Sequence, residues 1–372
     1  MARARVVAFY LPQYHATAEN DRWWGEGFTD WVNVKKATPL FSGHNQPRVP
    51  LGDRYYDLSD VEALRWQADL ARAHGVEGFA HFHYWFNGRR LLSKPTDLML
   101  GDHSIDFPFC LAWANASWSR RWQGEQSRNP ILLHQTYPRD RQGWLKHFEY
   151  LNRAWSDPRH LRVGGRALFL IYYPHHVPHV EEVLDLWRNE AVKTGVGELH
   201  IVAMQLFPYL RSQFLSAFDA IADFQPTLSM FSSASSARYS FAALLRLLPP
   251  RIVDLGRLVQ NRFRKRPTFY DYDELWRKCI DWQQDDRIPI YPGAFVSWDN
   301  TARYGARARV VKGSAPEKFA GWMNNLVDTV QDRDPDSRLV FLNAWNEWAE
   351  GNYLEPDAEF GDGYLKALQT AL

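Results

Sequence analysis

Eight apolar runs of strand length recur along the chain, and each is followed by a helical or irregular stretch. They are Arg5–Leu11, Gly78–Tyr84, Pro108–Ala114, Ala167–Tyr173, Leu199–Leu206, Ala220–Gln225, Ile290–Ser297 and Leu339–Ala344. Runs of this kind suit strands buried on both faces, as in a parallel sheet. Strand–helix alternation argues for α/β architecture, and eight units argue for a single (β/α)8 TIM-type barrel over residues 1–372. A doubly wound open sheet is the alternative, but no G-x-G-x-x-G or P-loop follows any run. The first helix is marked by an S-x-x-E box at Ser59 and Glu62, by Val61, Leu64, Ala68 and Ala71 on one face, and by Gly75 as its stop. Further helices are expected at Asp140–Trp155, Val180–Thr194, Tyr272–Asp285, Ala315–Val330 and Gly363–Ala371.

In a barrel the residues at the C-terminal strand ends converge on one mouth, and catalysis is built there. The runs deliver Tyr14 and His15, then His83, Tyr84 and Trp85, then Asn115, Trp118 and Trp122. Tyr173 follows the fourth run, and Trp298 and Asp299 follow the seventh. Polar and aromatic residues thus recur at corresponding ends. The connection from Ala16 to Leu58 is long for a βα loop and rich in aromatics, Trp24 and Trp31 among them. It reads as a wall of a substrate cleft.

The eighth run leads into the densest chemistry of the chain. In RLVFLNAWNEWAEGNYLEP, Arg338 to Pro356, an apolar strand changes within a few residues into Trp345, Asn346, Glu347, Trp348 and Glu350. Carboxylates beside large aromatics lose solvation, and their proton affinity shifts. An ion-paired strand cap with core tryptophans is the plain reading. Two glutamates three residues apart favour a site, because close carboxylates repel and one holds its proton near neutrality. Such a pair suits glycoside cleavage, which needs an acid for the leaving oxygen and a second carboxylate near the anomeric carbon. The chain's 17 Trp fit the same picture, since sugar faces stack on indole rings.

Asn346 to Gly351 (NEWAEG) resembles the catalytic segment of glycoside hydrolase family 99, the endo-α-mannosidases, whose pattern is N-E-W-H-E-G. More of the chain resembles the WbsX-like family of bacterial polysaccharide loci, often labelled glycosyltransferase. The matching stretches are Phe9–His15, Trp23–Val34, Pro39–Pro47, His83–Leu92, Asp106–Trp122 and Phe341–Pro356. The resemblance implies a catalytic barrel acting on a surface polysaccharide, with Glu350 as general acid/base. It implies that Glu347 deprotonates the sugar 2-hydroxyl, with net retention through a 1,2-anhydro sugar. Two departures stand out: Ala349 replaces the hydrolase His, and Ala116-Ser117 stands where Glu-Asn is expected.

Three readings follow. A hydrolase using Glu347 and Glu350 is preferred over a glycosyltransferase of O-antigen or surface-polysaccharide assembly. A non-catalytic glycan-binding domain is the third. No H-e-x-x-H or Cys/His quartet suggests a metal, and no cofactor is expected. A net charge of +1 gives no case for nucleic acid. Cys110 and Cys279 are too few for a disulfide framework, and the N-terminus shows no signal-peptide pattern, so a cytoplasmic protein, or a domain cut from something larger, is expected. An insertion at 231–270 continues as an apolar run and ends on Arg262, Arg264, Lys265 and Arg266. It reads as a helical lid rather than as a membrane contact through 241–266.

Overall fold

The computed structural model describes residues 3–119, 131–207, 215–232, 266–281 and 288–372. All eight expected runs occur as parallel strands. They are β1 (Arg5–Tyr10), β2 (Val76–Phe86), β3 (Phe109–Trp113), β4 (Arg166–Ile171), β5 (Leu199–Gln205) and β6 (Ala220–Asp223), then β7 (Ile290–Tyr291), β8 (Gly293–Phe295) and β9 (Leu339–Asn343). The seventh run is therefore divided. Their order is β7-β6-β5-β4-β3-β2-β1-β9-β8, so the two halves of that run sit at opposite edges of the sheet. Pro292 lies between them, and proline has no N–H to give a ladder. Its carbonyl still accepts from Phe341 N at 3.0 Å. Chain continuity across Pro292 nearly closes the barrel. Gly293 is required there, because a Cβ would lie 1.9 Å from the Asp223 carbonyl oxygen.

Phe9 fills the barrel interior, with ring centroids 5.5 Å from Phe82, 5.2 Å from Phe224 and 5.8 Å from Phe341. Strand alternation puts the neighbouring side chains on the outer face. There the helices cover them, as Trp155 and Trp187 cover Phe169. The helices Val61–Ala73, Arg141–Trp155, Val180–Lys193, Tyr272–Asp281, Pro316–Asp328 and Gly363–Ala371 fall where the apolar spacing predicts them. The first differs in its cap: Asp60, not Ser59, accepts from Glu62 N. Most of the 231–270 insertion, and the basic residues at its end from Arg262 to Lys265, lie outside the described residues. No helix among the described residues is long and apolar enough to cross a membrane.

Candidate active site

The site forms where three short helical segments meet at the barrel mouth: Asp30–Lys36 from the first loop, Thr301–Tyr304 after β8, and Trp348–Glu350 after β9. Asn346 fixes the last of these to the barrel. Its side chain accepts from Leu11 N at 2.7 Å and donates to Leu11 O at 3.0 Å, clamping the end of β1. Tyr14 donates from its hydroxyl to Asn346 O at 2.6 Å and accepts from Trp348 N at 3.2 Å. Gly351 closes the turn with φ +57°, and a Cβ there would meet the Asp299 backbone at 2.9 Å. That close approach lets Asp299 N donate to Glu350 O at 2.7 Å.

Arg303, 4% exposed, is the centre of the charge arrangement. Its Nη1 donates to Glu350 at 2.7 Å, and its Nη2 donates to Asp30 at 2.7 Å and to Glu347 at 3.1 Å. Neither glutamate receives the two-pronged pairing that arginine offers a carboxylate. The second oxygens, Glu347 Oε1 and Glu350 Oε2, have no partner among the described residues. Burial pushes the proton affinity of both glutamates up, against the pull of Arg303. Glu350 raises Glu347 further, and Asp30 raises both.

Tyrosines ring this pair. Burial first, and then the negative charge of Glu347, raises the pKa of Tyr84. Burial and nearby Glu350 hold Tyr304 at about 12, and Tyr172 is raised by burial, Tyr173 and both glutamates. All three hydroxyls thus stay protonated at neutral pH and are able to donate hydrogen bonds. Trp118 packs edge-on to Tyr84 at 5.2 Å, and Trp23 meets Trp118 at 5.7 Å.

Several of the expected ligand contacts are buried and bonded within the protein. Tyr14 is fully enclosed by the struts above. Trp31, 5% exposed, donates to Tyr56 O at 2.8 Å and packs on Tyr14 and Trp348. Trp345 is sealed against Phe79, and Trp348 donates to the buried Glu355 at 2.6 Å. Glu355 also receives Tyr56 and Gln67, and burial lifts its pKa to about 7. Asn115 is a clamp between strand ends, bonded to both the N–H and the carbonyl of Tyr173. Asp299 accepts from His44 at 2.7 Å, from Gln46 at 3.0 Å and from Thr301, which leaves it a structural anchor.

His83 and Trp85 point to the other face of β2. His83 meets His147 Nε2 at 3.0 Å, and Trp85 stacks on the same ring at 4.5 Å. Period-2 alternation explains this: with Tyr84 facing inward, its two neighbours face the helix Arg141–Trp155. His15 is buried, with its pKa lowered by burial, and Trp298 is buried as well. Trp24 tilts onto Phe28 at 5.8 Å, while its neighbour Trp23 takes the place beside Trp118. Tyr173 is half-buried beside Tyr172 at 4.7 Å. Trp122 lies outside the described residues. Of the expected set, Glu347, Glu350, Tyr84 and Trp118 come together. Asp30, from the loop expected to wall the cleft, joins them, and Arg303, Tyr172 and Tyr304, which were not anticipated, complete the group. The signal for Arg303 is weak: one basic residue shortly after the seventh run, in the uncharged stretch NTARYG.

Comparison with known proteins agrees with this architecture. Solved structures with the same fold include a glycoside hydrolase-like protein, at TM-score 0.58 and 14% identity, covering 99% of this chain and 93% of that one. The GH99 endo-α-mannosidase from Bacteroides thetaiotaomicron follows at TM-score 0.57 and 12% identity, covering 98% of this chain and 95% of that one. In sequence, the chain is 37% identical over 370 residues to the uncharacterized protein WxcX of Xanthomonas campestris pv. campestris (strain B100), covering 99% of the chain and 50% of that protein. WxcX of strain ATCC 33913 matches equally, at 37% over 370 residues. The chain thus spans about half the length of these curated relatives. The family model described as "Glycosyltransferase WbsX" matches residues 6–368, and the chain belongs to the WbsX family.

Proposed function

We propose that this chain is a catalytic domain that cleaves glycosidic bonds in a bacterial surface or related polysaccharide, with Glu347 and Glu350 as its reacting carboxyls. The observation that carries the reading is the Glu347–Glu350 pair itself. The two share one guanidinium, and each keeps an oxygen without a partner among the described residues. With Glu350 holding the proton that it gives to the leaving oxygen, Asp30 and Glu347 still set two carboxylates against the guanidinium of Arg303. That balance suits a transition state that builds positive charge at the anomeric carbon. Among the described residues that balance is a poor cradle for the departing diphosphate of a nucleotide-sugar donor, which calls for cationic contacts. This charge argument favours hydrolysis over the transfer that the family's description names.

By likeness to the endo-α-mannosidases, Glu347 removes the proton of the sugar 2-hydroxyl, and O2 attacks C1. The bond from C1 to the leaving oxygen breaks as Glu350 gives that oxygen its proton. Water then adds to C1 as the C1–O2 bond breaks, its proton passing to Glu350 while Glu347 returns its proton to O2, and the anomeric configuration is retained. Burial serves both roles, since it makes Glu347 a stronger base once ionised and helps Glu350 keep its proton. Tyr84, Tyr172 and Tyr304 supply hydroxyls to the sugar, and Trp118 supplies an apolar face.

The test is incubation with a panel of bacterial polysaccharides and α-mannans, without any nucleotide, followed by product analysis by mass. Shortened oligosaccharides are expected. Products that form only when a nucleotide-sugar is added, and that are larger by one sugar, would favour the transferase.

A further inference from the structure

We infer that Asp30, carried by the long loop after β1, is a positioning residue that keeps Arg303 from locking either glutamate of the pair. This rests on the assignment of Glu347 and Glu350 as the reacting carboxyls. A guanidinium facing one carboxylate adopts a fork with two parallel N–H···O bonds, which holds that carboxylate ionised. Here Asp30 takes Nη2 at 2.7 Å, and Glu347 is left with the longer contact of 3.1 Å from the same nitrogen. Nη1 goes to Glu350 at 2.7 Å. Among the described residues, three acceptors on two nitrogens leave no glutamate with a fork.

Asp30 is itself firmly placed. It is fully enclosed, its other oxygen accepts from Asn33 at 3.0 Å, and its N–H donates to Gln13 O at 3.0 Å. It cannot turn toward the cleft, so it acts through Arg303. Among the described residues, the remaining groups near the cluster are Tyr14, Tyr84, Tyr172 and Tyr304, with Arg309 beside Tyr304. Burial raises all four hydroxyls, so none of them supplies negative charge at neutral pH. Asp30 is therefore the group that offsets Arg303 from outside the pair, in agreement with its raising effect on both glutamates.

The test needs no substrate. A carbodiimide with glycine ethyl ester couples to protonated carboxyls, and peptide mass spectrometry reads the extent at Glu347 and Glu350 against pH. Asp30→Asn keeps the shape but drops the charge and frees Nη2 for Glu347. Its labelling midpoint is expected to fall by about one pH unit, the lower end for a neighbouring charge. Asp30→Ser should move the same way. In Arg303→Lys a single ammonium replaces the fork, and the midpoint should rise. An unshifted midpoint in an Asp30 variant that melts like the wild type overturns the role. Should neither Asp30 variant fold, an unshifted Arg303→Lys overturns it. Because labelling reads protonation and not turnover, these outcomes reject Asp30 without touching glycoside cleavage, which the product analysis judges separately.

Discussion

Two clusters of buried ionisable side chains flank β2, and they solve opposite problems. On its outer face His83 and His147 share one short contact inside a shell of Trp85, Tyr150, Trp113 and Trp187. Burial pushes His83 down to about 3 and His147 well down, so both are neutral and the cluster carries no charge. On the inner side, at the mouth, three carboxyl groups surround Arg303, and two of their oxygens lack partners among the described residues. The difference teaches that burial of titratable groups does not by itself mark a site. A sealed neutral pair is core. A charged group with open acceptors stores electrostatic free energy that a substrate can use.

The comparison can be broken at the mouth first, where the largest effects are expected. Glu350→Gln should lower the rate on natural glycosides by about 10²–10⁴, the usual worth of general acid help. A substrate with a good leaving group should lose much less, because it needs little protonation. Glu347→Gln should cripple both kinds of substrate. Equal small losses in initial-rate assays of both variants would make the pair structural.

Next in size is Arg303→Met, which removes the guanidinium that three buried carboxyl groups share. Breaking a buried pair from one side costs about 3–5 kcal/mol. Without Arg303 the folded-state proton affinities rise further, so the variant should recover stability as pH falls and lose it as pH rises through those raised values. Denaturant melts at several pH values read this directly.

The outer cluster should respond differently. Its histidines have folded-state pKa values below their ordinary 6.5, so they contribute stability that is present above that value and lost as pH falls toward about 3. His147→Leu removes one of them. Its melting temperature should fall less steeply as pH drops below 6.5, while turnover stays within about twofold of wild type. A changed pH optimum would show that the two clusters are coupled after all. The smallest effect is expected for Trp118→Ala. A stacking contact of about 0.5–1.5 kcal/mol corresponds to a several-fold rise in KM with little change in kcat.

The contrast also explains what could be read from the residues in order. All eight strand runs were legible because burial on both faces writes a continuous apolar signature, and the helices because their faces repeat. The division of the seventh run was legible in principle from Pro292 but needs the closed barrel to make sense of it. Glu347 and Glu350 stood out because two carboxylates in one aromatic segment are a local pattern. Arg303 and Asp30 did not, since their contacts join positions 273 and 44 residues apart. His83 and Trp85 were misplaced because a strand end offers its side chains alternately to two faces, and the residue that points inward, Tyr84, was one of three named together. Trp31, Trp345 and Trp348 turned out to be framework, since a tryptophan beside a site and a tryptophan behind it look alike in sequence.

The central claim is that water, directed by Glu347 and Glu350, replaces the aglycone at an anomeric carbon. Digestion of a cleaved polysaccharide in ¹⁸O-labelled water, with no nucleotide present, tests it most directly. One heavy oxygen at each new reducing end is predicted for the wild type, with none appearing over the same time for Glu347→Gln. Unlabelled products, or sugar chains that lengthen only at the expense of an added nucleotide-sugar, would contradict it.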